Sequence, residues 1–221
     1  MPRRLPLQLR LAVFAATIGI AVGVAAALVH RSQGSAAQPS PLRAQITWAA
    51  GAKRAPGLAL RDQSGATISL KSLRGRVVLV TFLDSKCTNL CPIEGAQLAA
   101  VQRRLPAADR PELVVVSVNP ADTPASVGRF VRQAGWSRPW RWLLGTRRAL
   151  APVWSDYHIG VRFSHGRAVQ TGNTTIRVAG SVAHTIALYL IDRRGRERFG
   201  YLPPFQPAVV AKEVAALERS S

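Results

Sequence analysis

The sequence feature that most constrains the fold is an unbroken run of apolar and β-branched residues, VVLVTFL, at positions 77–83. A run of this kind is typical of a strand that is buried on both faces, in the middle of a sheet. A second run, LVVVSVN at 113–119, has the same character. Since a helical pattern follows each run, the sequence predicts an α/β domain with a central mixed sheet and helices on both faces.

Turn and cap residues predict the other elements of this domain. Further strands or hairpins are expected at 58–70, 140–144, 184–192 and 197–201. Helices are expected at about 92–105, 124–134, 147–156 and 207–219, with prolines and glycines near their ends. The polar, glycine-containing residues 158–180 predict a long loop or a hairpin. His184 would begin the strand over 184–192.

The N-terminal segment has the pattern of a membrane anchor. Arg3, Arg4 and Arg10 precede an uncharged run from Leu11 to Val29. Nineteen helical residues come close to the ~30 Å thickness of a hydrocarbon core, and the run is longer than the usual core of a signal peptide. A cleaved signal peptide is the alternative, because small residues at Ala25–Ala27 are suitable for cleavage.

Basic residues that precede an apolar span remain in the cytoplasm, so the rest of the chain is expected outside the inner membrane, in the periplasm. The predicted organisation is a cytoplasmic N-terminus over 1–10, a single-pass transmembrane anchor over 11–30, a linker over 31–55 and one domain over 56–221.

The net charge of +19 raises the question of nucleic acid. However, the arginines are scattered along the chain, and no nucleic-acid-binding motif accompanies them. We therefore expect no nucleic-acid partner. Contact with anionic lipid or with an acidic protein remains open.

The chain has only two cysteines, Cys87 and Cys91, directly after the first buried run. A disulfide between them would close a very short loop and add little stability, which favours a chemical role. The start of a helix, and Lys86 beside it, are expected to lower the pKa of the thiols. The spacing suits two thiolates on one soft metal ion, copper or zinc, and equally a redox disulfide.

A metal ion would need a further ligand, and histidine is the natural one. The candidates are His30 at the membrane boundary, His158, His165 and His184. Spacing alone favours His184 only slightly, so the choice remains open at this point.

Four segments, in this order, resemble the SCO/SenC family of copper-delivery and thiol-redox proteins. They are Phe82 with CTNLCP (87–92), VVSVNPADTP (115–124), LLGTRRALAPVWSDYHIGV (143–161) and VAHTIALYLIDRRGRERFGY (182–201). The resemblance extends over about residues 55–215. It implies a thioredoxin-like fold behind an N-terminal anchor, and one copper ion, Cu(I) or Cu(II), bound by Cys87, Cys91 and His184.

The resemblance also implies a role in building the copper site of cytochrome c oxidase, with an oxidase subunit or another copper protein as partner. Such a protein is a chaperone rather than an enzyme, although some members are thiol–disulfide reductases that would use Cys87 and Cys91 as a redox dithiol. Two positions depart from the family pattern, since Ala183 and Asn119 stand where the family has acidic residues. Loss of a residue that orients a ligand can cost 10–100-fold in metal affinity.

Overall fold

The computed structural model describes residues 44–171, 174–178 and 180–220. The expected anchor over 11–30 lies outside these residues. Within the described ranges, no helix is both long and apolar enough to cross a membrane.

The described chain alternates strands and helices around a central sheet. In chain order the strands are β1 (Ile46–Thr47), β2 (Ala59–Asp62), β3 (Thr67–Ser69), β4 (Val78–Leu83), β5 (Glu112–Ser117), β6 (Trp140–Leu144), β7 (Val161–Ser164), β8 (Arg167–Thr171), β9 (Thr174–Val178), β10 (Ser181–His184), β11 (Leu188–Ile191) and β12 (Glu197–Tyr201). The helices are α1 (Leu90–Arg103), α2 (Pro124–Ala134), α3 (Arg147–Asp156) and α4 (Pro207–Arg219), with a 3-10 turn at Ala107–Asp109.

The central sheet has the order β1-β12-β11-β4-β5-β6-β2-β3. It is mixed, because β4, β5 and β6 are parallel neighbours while β11 runs antiparallel to β4. Every residue of β4 and β5 is buried, as their apolar runs predict. One face packs against α1, α2 and α4, and the other against α3, so the predicted helices on both faces are confirmed.

Several elements that turn and cap residues predicted are present in the structure. The hairpin within 58–70 is β2 paired with β3, and the observed bounds of α3 and α4 are the expected ones. At the start of α2, Thr123 accepts a hydrogen bond from Ser126 N–H, an interaction that contributes about 1 kcal/mol. At its end, Gly135 adopts the left-handed conformation. Residues 46–47, within the expected linker, pair with β12 as β1.

The expectation of one strand over 184–192 is wrong. His184 ends β10, which pairs with β7 in a two-stranded ribbon outside the central sheet, and β11 begins only at Leu188. The chain turns between the two strands, where Thr185 N–H donates to the carbonyl of Gly160. Alternating exposure in β10 suits a half-exposed ribbon, whereas the mostly buried β11 suits the sheet. The hairpin alternative for 158–180 is confirmed by β8 and β9.

Candidate metal centre

The two cysteines lie at the junction between β4 and α1. Residues 84–89 form the connecting loop, and the Asn89 side chain caps the helix by accepting a 2.7 Å hydrogen bond from Leu90 N–H. Cys87 is half-buried on the loop, while Cys91 is fully buried in the first helical turn. Both are free cysteines. We refer to β4, residues 84–89 and α1 as the cysteine frame, and to β7 with β10 as the histidine ribbon.

The histidine ribbon brings His184 against the cysteine frame from 93 positions further along the chain. Its Nε2 lies 3.7 Å from Cys91 Sγ. Its Nδ1 lies 3.0 Å from the carbonyl oxygen of Thr185. Since a carbonyl oxygen only accepts, Nδ1 carries the ring proton and Nε2 presents its lone pair to Cys91. This is the tautomer that a histidine needs in order to bind a metal through Nε2.

The separation of Cys91 Sγ and His184 Nε2 fits a shared metal ion. Bond lengths of about 2.3 Å to sulfur and about 2.0–2.1 Å to nitrogen, at an angle of about 110–120°, place the two donor atoms about 3.6–3.8 Å apart. Cys87 lies close enough to Cys91 to raise the pKa of that thiol, and its own thiol donates a 2.9 Å hydrogen bond to Asn89 Oδ1. No set of three His, Cys, Asp or Glu side chains in the described ranges already surrounds a common point.

Burial controls the protonation of this pair. It raises the pKa of the Cys91 thiol well above its usual range, and the neighbouring Cys87 thiol raises it further. A backbone hydrogen bond from Asp84 acts in the opposite direction but is the smaller effect. The expectation that the helix start and Lys86 lower the pKa is therefore wrong for Cys91. Burial also lowers the pKa of His184, so the metal-free pair is a neutral thiol beside a neutral imidazole.

A polar network that sequence analysis missed holds the cysteine loop. The Asp84 carboxylate accepts hydrogen bonds from Lys86 N–H at 2.8 Å and from Asn119 Nδ2 at 3.1 Å. Asp122 accepts from the Ser85 hydroxyl at 2.6 Å. An aspartate at position 119 would face Asp84 with a like charge, so Asn119 suits this loop. The sequence signals were the family segment at 115–124, which contains Asn119 and Asp122, and the position of Asp84 directly after a buried run.

Position 183, directly before His184, does not orient the imidazole, which is the role expected of an acidic residue there. Ala183 is exposed and pairs with Arg162 across the histidine ribbon. The Thr185 carbonyl orients the imidazole instead. Nearby negative charge comes from Asp84, which acts to raise the pKa of His184 against the larger effect of burial.

A buried acid lies within the cysteine frame itself. Glu94 is fully buried on α1, and its carboxyl is hydrogen-bonded to the Thr81 hydroxyl while Oε2 has no protein partner. Burial raises the pKa of Glu94 to about 8, so it is protonated at neutral pH. Its burial could not be predicted from the sequence, because helical spacing alone does not reveal which polar residue is buried.

The two other described histidines, His158 and His165, have no contact with the pair. His158 is exposed and follows the end of α3 with a φ of 57°. His165 is exposed at the far end of β7, and His30 lies outside the described residues. Of the candidates that the structure describes, His184 is the one with a contact to a cysteine sulfur.

Comparisons with known proteins agree with the fold. The family model SCO1/SenC matches residues 51–218. No curated protein matches significantly. Among solved structures, copper-bound ScoI from Bradyrhizobium japonicum is 25% identical, with a TM-score of 0.59 over 74% of this chain and 99% of that one.

Two more distant structures share the fold. Copper-bound yeast Sco1 is 21% identical, with a TM-score of 0.59 over 76% of this chain and 90% of that one. BsSco, a member of the Sco family of cytochrome c oxidase assembly proteins with a disulfide switch, is 18% identical, with a TM-score of 0.56 over 81% and 99%. The thioredoxin-like architecture is thus confirmed. Because the family model covers most of its length, the chain belongs to the SCO1/SenC family.

Proposed function

We propose that this protein binds one copper ion through Cys87, Cys91 and His184 and delivers it to a copper protein. The observation that carries the proposal is the 3.7 Å approach of Cys91 Sγ to a His184 Nε2 whose lone pair faces it. Thiolate sulfur with imidazole nitrogen is a donor set that favours copper. Copper-bound structures of ScoI and Sco1 add support by analogy.

The three side chains would have different roles in binding the metal ion. Buried Cys91 and half-buried His184 supply two donors, and the Cys91 proton must leave when a metal binds because the thiolate is the ligand. Cys87 completes the set by turning from Asn89 towards Cys91. Since Cys87 is the more exposed of the two cysteines, it is the ligand that an incoming partner's donor atom would displace first.

Titration of the full-length protein with Cu(I) and Cu(II) tests this set. We expect one ion per chain, with loss of stable Cu(II) binding in His184→Ala, Cys87→Ser and Cys91→Ser. His165→Ala is the matched control, since it removes an exposed histidine from the end of the same ribbon, and it should bind copper like the wild type. Unchanged Cu(II) binding in His184→Ala contradicts the three-ligand site.

The proposed setting is the periplasmic side of the inner membrane, with residues 11–30 as the anchor. The uncharged run after basic residues supports this topology. The proposed recipient is a subunit of cytochrome c oxidase, because the Sco family is one of cytochrome c oxidase assembly proteins. Protease protection of tagged termini in spheroplasts tests the topology, and oxidase copper content in a deletion strain tests the recipient.

A dedicated thiol–disulfide reductase is the second candidate, and the closeness of the two thiols favours it. Half-buried Cys87 would attack a partner's disulfide as thiolate and form a mixed disulfide, with release of one partner thiol. Buried Cys91 would then attack Cys87, which releases the second partner thiol and leaves a Cys87–Cys91 disulfide. This route does not need His184. Retained disulfide-reductase activity in His184→Ala, together with loss of that activity in Cys87→Ser, would favour the reductase over copper delivery.

A further inference from the structure

A basic groove borders the candidate metal centre. It is a cavity of about 890 Å³ between the histidine ribbon and the loop that follows β5. Its cationic and titratable side chains come from Lys86, Arg147, Arg162 and His165. None of the described residues that line it is an aspartate or a glutamate. A carboxylate in this groove would therefore meet several positive groups among the lining residues, while the Asp84 carboxylate lies buried behind Lys86 and Asn119.

The groove combines this charge with an apolar wall. Val161 and Phe163 of β7 line it while they pack against the core beneath α3. The Arg147 guanidinium is held over the Phe163 ring, 4.8 Å from its centroid. An arginine fixed in this way on an aromatic ring loses little side-chain entropy when it binds a carboxylate.

The groove also leads to a cysteine. Lys86 lines it and at the same time lines a second cavity of about 210 Å³ that contains Cys87 and Pro92. The Lys86 ammonium donates a 2.7 Å hydrogen bond to the carbonyl of Ala121, which also lines the groove. A chain seated in the groove could thus continue past Lys86 to the Cys87 thiol.

We propose that this groove binds a short extended segment of a protein partner in which acidic residues alternate with apolar ones. The carboxylates would pair with Arg147 and Lys86, and the apolar side chains would lie on Val161 and Phe163. The chain's own N-terminal residues 1–43 contain no aspartate or glutamate and therefore do not fit the groove, so we assign the acidic segment to another protein. That this partner is the one served by Cys87 and Cys91 rests on the proposed function.

The test uses two adjacent arginines of α3. Arg147 lines the groove, whereas its neighbour Arg148 is equally exposed but is not among the lining residues. Arg147→Glu and Arg148→Glu change the net charge equally, within the same helical turn. The probe is a fluorescein-labelled ten-residue peptide of alternating Glu and Val, with a Lys and Val peptide as its counterpart. Fluorescence anisotropy is measured with the full-length, metal-free protein in nonionic detergent.

We expect the acidic peptide to bind in a salt-dependent manner and the lysine peptide not to bind. Arg147→Glu should weaken binding about tenfold, and Arg148→Glu less than twofold. Equal weakening by both variants would show that only net charge matters and would overturn the proposal. Unchanged peptide binding in Arg147→Glu would also overturn the proposal. The same holds if a single-stranded oligonucleotide displaces the peptide and its own binding depends on Arg147.

Copper titration of the same variants separates this inference from the proposed function. Both arginine variants should bind copper like the wild type, because neither residue contacts a cysteine or His184. If the wild type binds the peptide through Arg147 but binds no copper, the proposed function fails and the groove stands. If the wild type binds copper while its affinity for the peptide does not depend on Arg147, the proposed groove interaction is wrong and the proposed function stands.

Discussion

The cysteine frame and the histidine ribbon contribute to the same site, but they are built in different ways. In the frame, every residue of β4 is buried and the strand is paired on both sides, with β5 and β11. In the ribbon, β7 and β10 pair with each other, and their residues alternate between half-buried and exposed. The cysteines therefore follow a strand that is fixed in the middle of the central sheet. The histidine lies on a two-stranded ribbon, which can open at a lower cost in free energy.

The largest expected contrast comes from two phenylalanines. Phe82 in β4 is fully buried against Tyr157 and Tyr189, whereas Phe163 in β7 is half-buried beside Trp154. Phe82→Ala should lower the free energy of unfolding by about 4 kcal/mol, as expected for a large cavity, and Phe163→Ala by about 1 kcal/mol. Urea denaturation followed by circular dichroism measures both. Equal losses would contradict the distinction between frame and ribbon.

The next prediction concerns the buried acid of the frame. Since burial raises the pKa of Glu94 from 4.5 to about 8, the folded state retains a proton that the unfolded state has already lost between these values. Stability should therefore fall as pH rises from 5 to 7, by about 2 kcal/mol from this group.

Glu94→Gln removes this ionisation while it keeps a polar side chain beside Thr81. Its unfolding free energy, measured by urea titration at several pH values, should change less from pH 5 to pH 7 than that of the wild type. Parallel pH profiles for the two proteins would show that Glu94 ionises in the folded state as it does in water.

A smaller effect is expected where the frame meets the loop after β5. Asn119→Asp restores the acid that the family resemblance implies, but places it against Asp84, whose carboxylate now accepts from the Asn119 amide. We expect a loss of about 1–2 kcal/mol at pH 7 that diminishes as pH falls, because protonation of the introduced carboxyl at position 119 relieves the repulsion. Asn119→Ala controls for the lost hydrogen bonds and should show no such recovery on acidification. A variant as stable as the wild type at pH 7 would contradict this account.

The smallest effect is expected at the base of the ribbon. The Thr185 hydroxyl accepts a 3.3 Å hydrogen bond from Gly160 N–H, beside the backbone bond between the same residues. Thr185→Val should cost about 0.5–1 kcal/mol in global stability, yet accelerate amide hydrogen exchange in β7 and β10 more than in β4. Mass spectrometry of exchanging peptides separates the two regions. Uniform acceleration would mean that the ribbon does not open independently.

Much of the fold was accessible from sequence because its signals are local. The runs at 77–83 and 113–119 are short and rich in β-branched residues, which favours buried strands, and Thr123 with Pro124 marks the start of α2. The strand over 184–192 was wrong because a short apolar stretch does not reveal a turn. Thr185 interrupts it through hydrogen bonds to Gly160, a partner 25 positions away.

For the site, the sequence by itself determined that Cys87 and Cys91 stand together after a buried strand and at a helix start, because neighbours in sequence cannot separate far in space. Spacing favoured His184 only slightly among the histidines, and the family resemblance was needed to single it out. The tertiary structure decided that His184 meets Cys91, since ribbon pairing joins segments 93 positions apart. It also decided that the Cys91 thiol is protonated, because burial, which depends on the whole packed core, outweighs the local effect of the helix start.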